Sequence, residues 1–354
     1  MIRPADTSPA GSGTRGALSS NVRLRSASID PSLSATIVER RPLAYRAKAS
    51  PGLDRPPHVR AGSSITWVGR RLGLVQDDAN FVALVDPRTG LARSITLPAG
   101  EEGKRHFDDL RGNKKHKLDL EACCTIEGPM GTMLLALGSG SKRRRRRIVT
   151  IESVAARRPR VSLIDAESLY VALEQIPHFA GSDMNLEGAL GLPGVLRLFT
   201  RGNGEAKGGR LPVNSTGDLD LQALLVYLAS PETATVPALH GVTQYELGTL
   251  DTLPLGFTDA AMAGSTLLYT AAAEASKDAS EDGRVSGSVI GIIPAKGALR
   301  YAPITDERGR GTTDKVEGIV ALPGRTDRVL VVVDPDDPTR PSELCDVSLG
   351  GDWG

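Results

Sequence analysis

Only three cysteines occur in 354 residues, and Cys123 and Cys124 are neighbours whose side chains would point to opposite faces of a strand. A disulfide framework is thereby set aside, and a cytoplasmic protein is the expectation. Aromatic residues are few, at 4%, which argues against a base-stacking surface. With a net charge of +1, no global field draws the chain to nucleic acid or to a membrane. No stretch approaches the roughly 20 apolar residues of a membrane span. The first residues, Met1 to Asp6, run into Ser/Gly-rich sequence without the apolar segment of a secretory signal.

What the chain does contain is a repeated acidic opening to an apolar strand. Asp119-Leu120-Glu121-Ala122 is echoed by Asn185-Leu186-Glu187-Gly188 and Lys315-Val316-Glu317-Gly318. Thr258-Asp259-Ala260-Ala261 is a degraded copy, and Gly62-Ser63-Ser64-Ile65 puts a hydroxyl where the others carry an acid. The intervals between Ser63, Glu121, Glu187, Asp259 and Glu317 are roughly 58, 66, 72 and 58 residues, within or just above the range of propeller repeats. After each opening come a short apolar run, a Gly- or Pro-containing turn and a second apolar run that ends in polar residues. The second runs lead into Asp77-Asp78, Ser139, Arg201-Gly202-Asn203, Ala271 and Asp334. Such a hairpin starts and finishes on one side of a sheet, so both sets of polar residues are expected at a common mouth. The fold expected is all-β, a five-bladed β-propeller with short helical inserts, or a six-bladed one if residues 165–176 or 218–250 hide a further blade.

Residues 1–34 lack periodicity and read as a mobile tail, which leaves 35–354 as a single propeller domain. A strand within 35–47 is expected to complete the last repeat, because closing the ring protects an open sheet edge. Asp165 is expected to cap a helix with Leu169, Ala172, Leu173 and Ile176 on one face; Asp218, one with Leu221, Leu224, Leu225 and Leu228. The basic loop 100–117 should lie beside the mouth. The run Lys142 to Arg147 reads as a turn and the start of a solvated strand.

In a propeller the innermost strands line a central channel, so Ser63, Glu121, Glu187, Asp259 and Glu317 would form a ring of oxygen donors. Their mutual repulsion calls for a hard cation, and an all-oxygen set of irregular geometry suits Ca²⁺ better than Mg²⁺ or Zn²⁺. The bland readings are that the acids merely cap turns, or that the ion is purely structural.

These residues resemble the soluble calcium-activated nucleotidases, or apyrases, five-bladed propellers with Ca²⁺ in the channel. Ser63-Ser64-Ile65 with Asp77-Asp78, Leu120-Glu121-Ala122, Glu187-Gly188-Ala189, Gly256-Phe257-Thr258-Asp259 and Lys315-Val316-Glu317-Gly318-Ile319 carry the likeness. It spans about residues 62–348. More loosely, the chain resembles the propellers called esterase-like activity of phytase and the SdiA-regulated proteins, and so looks like a bacterial propeller family related to these. The resemblance implies calcium ligands at Ser63, Glu121, Glu187, Asp259 and Glu317, with Thr258 a competing register at the fourth. It weakens at Thr200-Arg201-Gly202-Asn203, where only one of the family's two arginines carries over, so calcium binding is better supported than nucleotide hydrolysis.

The function expected is a calcium-binding propeller, leaning to a hydrolase of a small phosphorylated or ester substrate; the alternative is a non-catalytic ligand- or protein-binding scaffold with a structural calcium. In the catalytic reading Asp77 or Asp78 orients water, with Arg201 as the third catalytic residue. Lys104, Arg105, His106, Asn203 and Asp334 are the candidates for binding a small anionic ligand.

Overall fold

The computed structural model describes residues 22–275 and 283–354. The chain opens with β1 (Arg23–Ile29), β2 (Ser34–Pro42) and the short β3 (Ala44–Tyr45). Four strands then pair antiparallel in succession: β4 (Gly62–Val68), β5 (Arg71–Gln76), β6 (Phe81–Val85) and β7 (Leu91–Thr96). A second such group is β8 (Leu120–Gly128), β9 (Gly131–Gly138), β10 (Arg147–Glu152) and β11 (Arg160–Asp165). The third is β12 (Leu186–Leu192), β13 (Val195–Thr200), β14 (Asn214–Asp220) and β15 (Leu239–Glu246). After a two-residue β16 (Thr249–Leu250) comes the fourth, β17 (Leu253–Ala263), β18 (Thr266–Glu274), β19 (Val285–Ile293) and β20 (Leu299–Thr305). The last group has only three strands of its own, β21 (Lys315–Ala321), β22 (Arg328–Asp334) and β23 (Glu343–Gly350).

β2 supplies the missing outer strand, pairing antiparallel with β23 from Ser34↔Gly350 to Pro42↔Glu343. The edge that the last repeat would otherwise leave open is thus covered by the N-terminal strand. First strands of neighbouring groups touch in sequence, β4 to β8, β8 to β12, β12 to β17 and β17 to β21, and β21 returns to β4. The architecture is therefore propeller-type.

The core follows from this arrangement. It divides into separate clusters, each between two adjacent groups, including one between the last and the first that holds Leu74, Ile65, Val332 and Leu344. A strand covered on both faces has no solvent side, so inner strands such as Val329 to Val333 read as unbroken apolar runs instead of alternating.

Three expectations need correcting. Residues 23–29 of the supposed tail form β1, which pairs parallel first with β15 and then with β20; residues 1–21 lie outside the described residues. Residues 165–176 and 218–250 form no additional group of strands but a helix α1 (Glu167–Glu174), the end of β14, a helix α3 and β15. Between the two long helices lies α2 (Pro177–Ala180), and α3 spans Leu221–Ala229. Asp220, not Asp218, caps α3 by accepting from Ala223 N at 2.8 Å. Asp218 instead pairs with Arg197, whose Nε lies 2.7 Å from its Oδ1.

Candidate functional site

Each first strand carries a register irregularity, within its first three residues at Ser63, Glu121, Glu187 and Glu317 and in mid-strand at Thr258. A bulge inserts one residue and re-aims its side chain, which lets an acid leave the packed sheet. The second strand of each hairpin returns beside this point. Asp77 N donates to Ala61 O at 3.0 Å, Ser139 N to Asp119 O at 2.9 Å and Arg201 N to Asn185 O at 2.9 Å. Adjacent groups are joined the same way, through Asp119 N to Asp77 O at 3.2 Å and Leu186 N to Ser139 O at 2.8 Å. Strand starts and strand ends therefore do meet at one mouth.

A cavity of about 40 Å³ opens there, lined by Ser63, Glu121, Glu187 and Glu317 from the bulges and by Asp77, Arg201, Asn203 and Asp334 from the strand ends and the turns beyond them. Asp119, Asn185 and Lys315, which open three of the repeats but were not expected as site residues, complete it together with Lys117, Arg145 and Glu274. The four cations are engaged. Lys117 Nζ contacts Asp77 and lies 2.7 Å from Asp119 Oδ1, while Arg145 Nη1 is 2.8 Å from Asp119 Oδ2. Arg201 Nη2 sits 2.6 Å from Glu274 Oε2 with Glu187 at 3.7 Å, and Lys315 Nζ is 3.0 Å from Glu317 Oε1. Protein cations thus answer part of the repulsion that sequence reasoning assigned wholly to a metal.

Glu121 is the exception, having no hydrogen bond or ion pair among the described residues. Its carboxylate, with those of Asp77 and Asp119, presents oxygens within 4.8 Å of one another. Asp77 Oδ1 and Glu317 Oε2 are buried without a hydrogen-bond partner, while Glu121 is half-buried. Burial pushes the Glu121 carboxyl well up, and Asp119, Asp77 and Glu187 add to it. Burial likewise raises Glu187 to about 8 against the opposing Arg201. Lys117 stays firmly protonated because Asp119 and Asp77 outweigh its own burial. Oxygens alone face the cavity at Glu121, Asp77 and Glu317, a donor chemistry that fits a hard cation.

Asp259 does not join them. The fourth bulge belongs to Thr258, whose Oγ1 donates to Thr270 Oγ1 at 2.9 Å, and Asp259 lies one residue further along. Its Oδ1 accepts from Ala260 N at 2.8 Å, and its Oδ2 accepts from Ile319 N and Ser64 Oγ, each at 3.1 Å. Ile65 N is a further donor. The carboxyl therefore crosses from the fourth group to the fifth and the first. Gly188 and Gly318 make room: a Cβ on Gly188 would stand 3.4 Å from Asp259 Cα, and one on Gly318 would stand 3.1 Å from Ile65 N.

Beside the mouth, and sharing Ala61, Asp77, Lys315 and Asp334 with it, lies a cleft of about 300 Å³. Asp78 is here, not in the channel. Arg60, which the sequence gave no reason to notice, contacts Asp78 and His106 and lies 3.2 Å from Asp108 Oδ2. His106 is thus buried against a guanidinium, which with desolvation lowers it to about 4. It contacts Arg60 and is not among the residues lining the cleft or the mouth. Arg105 Nε donates to Leu97 O at 3.0 Å, and Lys104 lines a separate surface hollow with Glu101 and His116. The basic loop reaches the mouth through Lys117 and the cleft through Lys114 instead.

The arginine run is the expected turn and strand start, with Arg147 opening β10, but it is only partly solvated. Arg143 to Arg145 form one helical turn, Arg145 is buried on Asp119, Arg146 reaches Glu174 at 2.8 Å and Arg147 reaches Asp165 at 3.1 Å. The signal for Lys117 was its nearness to the acidic opening: it stands two residues before Asp119 and four before Glu121, just ahead of β8.

Among solved structures, the chain is similar to the glutaminyl cyclase of Myxococcus xanthus at 11% identity, over 94% of this chain and 99% of that one, with a TM-score of 0.43. It is similar also to an α-L-arabinofuranosidase of Podospora anserina at 10% identity, over 91% and 98%, with a TM-score of 0.42. Neither likeness is close enough to bear on chemistry. No curated protein matches the sequence. One family model covers residues 58–349, from just before the first bulge to the end of β23, and the chain belongs to that family, a family of unknown function (DUF6929).

Proposed function

We propose that the chain is a five-bladed, calcium-binding propeller whose channel mouth and adjoining cleft form a hydrolytic site for a small ester. The observation that carries the metal is Glu121. A half-buried carboxylate without a partner, crowded by Asp77 and Asp119, is relieved by a proton or by a cation. Glu121 and Glu317 would supply the oxygens, with Glu187 and Ser63 around them, and Ca²⁺ is the ion such an all-oxygen set suits. Asp259 is not included, since its oxygens are taken by protein donors.

A divalent ion bound here would polarise a substrate oxygen. The chain's own contribution is Asp77, whose unpartnered Oδ1 belongs to both mouth and cleft and can accept a proton from water. Carboxylates outnumber cations at the mouth, and the cations are engaged, so an ester without an anionic group suits this site better than a phosphorylated substrate.

Metal analysis of the purified chain and melting curves with and without Ca²⁺ test the first half. At a hundredfold excess over Kd the ion adds about 2.7 kcal/mol, which at roughly 0.7 kcal/mol per degree of unfolding entropy for this length is a rise of about 4 °C. Glu121→Gln should abolish that rise. A Glu121→Gln chain that melts higher on its own, with no calcium response in either form, identifies a protonated acid and ends the metal reading. For the second half, aryl and alkyl esters are assayed with and without EDTA. Activity that survives EDTA, or that Asp77→Asn leaves intact, removes the hydrolytic assignment; calcium binding with no turnover on any ester favours a scaffold.

A further inference from the structure

The geometry points to the 300 Å³ cleft as a binding site for an organic cation, an aliphatic amine, where sequence reasoning placed an anion. Fifteen residues line it, of which seven are aspartates and three are basic. Each of the three already faces acids: Arg60 contacts Asp78 and Asp108, Lys114 lies 3.3 Å from Asp109 Oδ2, and Lys315 reaches Glu317 at 3.0 Å and Asp336 at 3.5 Å. With Lys117 on Asp77 and Arg111 on Asp108 counted as well, two carboxylates remain in excess, in a concave space that focuses their field.

Surface acids alone would say nothing, but two further features mark a built site. Asp78, only 6% exposed, lines the cleft and keeps its Oδ1 without a hydrogen-bond partner although Arg60 holds the other oxygen. An acceptor buried in that way costs stability unless a donor arrives. The wall is also amphipathic: Phe107 and Pro338 line it, and Leu110, 80% exposed, stands at it. An alkyl chain can lie along these side chains while its ammonium meets Asp78, Asp77 and Asp334, and the volume is that of a small ligand. Under the hydrolytic reading, the ester the cleft accepts carries an amine; the binding claim itself does not depend on the metal.

Calorimetry with the full chain, 1,5-diaminopentane as probe and EDTA present tests this. Saturable one-to-one binding is expected, with none for 1,5-pentanediol, which has the same length and no charge, and none for inorganic phosphate. Asp334→Asn should weaken the diamine about tenfold, since it removes one carboxylate and leaves Arg60 paired. Asp78→Asn should weaken it further, but that change also strips Arg60 of its partner, so Asp334→Asn decides if Asp78→Asn fails to fold. Phosphate binding, equal heats for diol and diamine, or diamine heats that do not saturate each overturn the proposal. So does a diamine Kd that Asp334→Asn leaves unchanged. Glu121→Gln separates the two claims: it should remove the calcium response and leave diamine binding in EDTA as it was, whereas a chain that binds calcium but no diamine refutes only the amine site.

Discussion

Asp259→Asn is the sharpest test of how the centre of the molecule is held. The change preserves shape and replaces one acceptor oxygen by an NH₂ donor. On the Oδ2 side that donor would face Ile319 N and Ser64 Oγ; on the Oδ1 side it would face Ala260 N. The second orientation is the milder, because the amide oxygen can still serve Ile319 N and Ser64 Oγ, and Ser64 Oγ must keep accepting from Cys123 N at 3.1 Å. Even so, Ala260 N and the new NH₂ are left opposed in a position where Asp259 is 1% exposed and no water can intervene. Each unsatisfied buried group costs about 1–3 kcal/mol, and relaxation recovers part, so a loss of about 2–4 kcal/mol is expected.

With an unfolding entropy of roughly 0.7 kcal/mol per degree for this length, the melting temperature should fall by about 3–6 °C. Differential scanning calorimetry in EDTA measures it, and the same scan in Ca²⁺ should show the calcium-induced rise undiminished. A variant that melts like the parent in EDTA but no longer responds to calcium would refute the reasoning, because Asp259 would then be a metal ligand and not a strut between groups.

Glu187 gives a pH prediction. Its folded pKa, about 8, lies above the usual glutamate value, so the stability it contributes is present at low pH and is lost as pH rises from the unfolded value toward 8. In EDTA, Glu187→Gln should therefore gain in Tm relative to the parent between pH 5 and 8; parallel curves would show that Glu187 is not held protonated. Removing residues 1–30 exposes the outer edges of β15 and β20, which β1 covers, and should lower Tm while leaving a folded chain. Removing residues 1–42 takes β2 from the last group as well and should abolish soluble expression; a 1–42 deletion that stays folded would show that β2 is dispensable.

The repeat of acidic openings was legible because a strand start and a hairpin turn are local: Glu121, Glu187 and Glu317 could be aligned by spacing, and their bulges do stand at one cavity. The missing strand of the last group was legible for a similar reason, since an unpaired edge after β23 demands a partner and 35–47 held the apolar segment left over, of which β2 does pair with β23. The fourth position was not. Thr258 and Asp259 differ by a single residue of register; the bulge falls on Thr258, and Asp259 is left in the packed layer where protein donors take its oxygens. Only the pairing of β17 with β18 decides between them.

The cations were hidden for a different reason. Arg60, Arg145 and Arg201 come from a loop, a helical turn and a strand end far apart in the chain, and they reach Asp78, Asp119 and Glu274 only once the strands close. Spacing along the chain fixed which residues open each hairpin, because backbone periodicity carries that information. Which carboxylates are neutralised, and which one is left facing the cavity without a partner, was set by tertiary contact, since an ion pair depends on distance in space and leaves no period in the sequence.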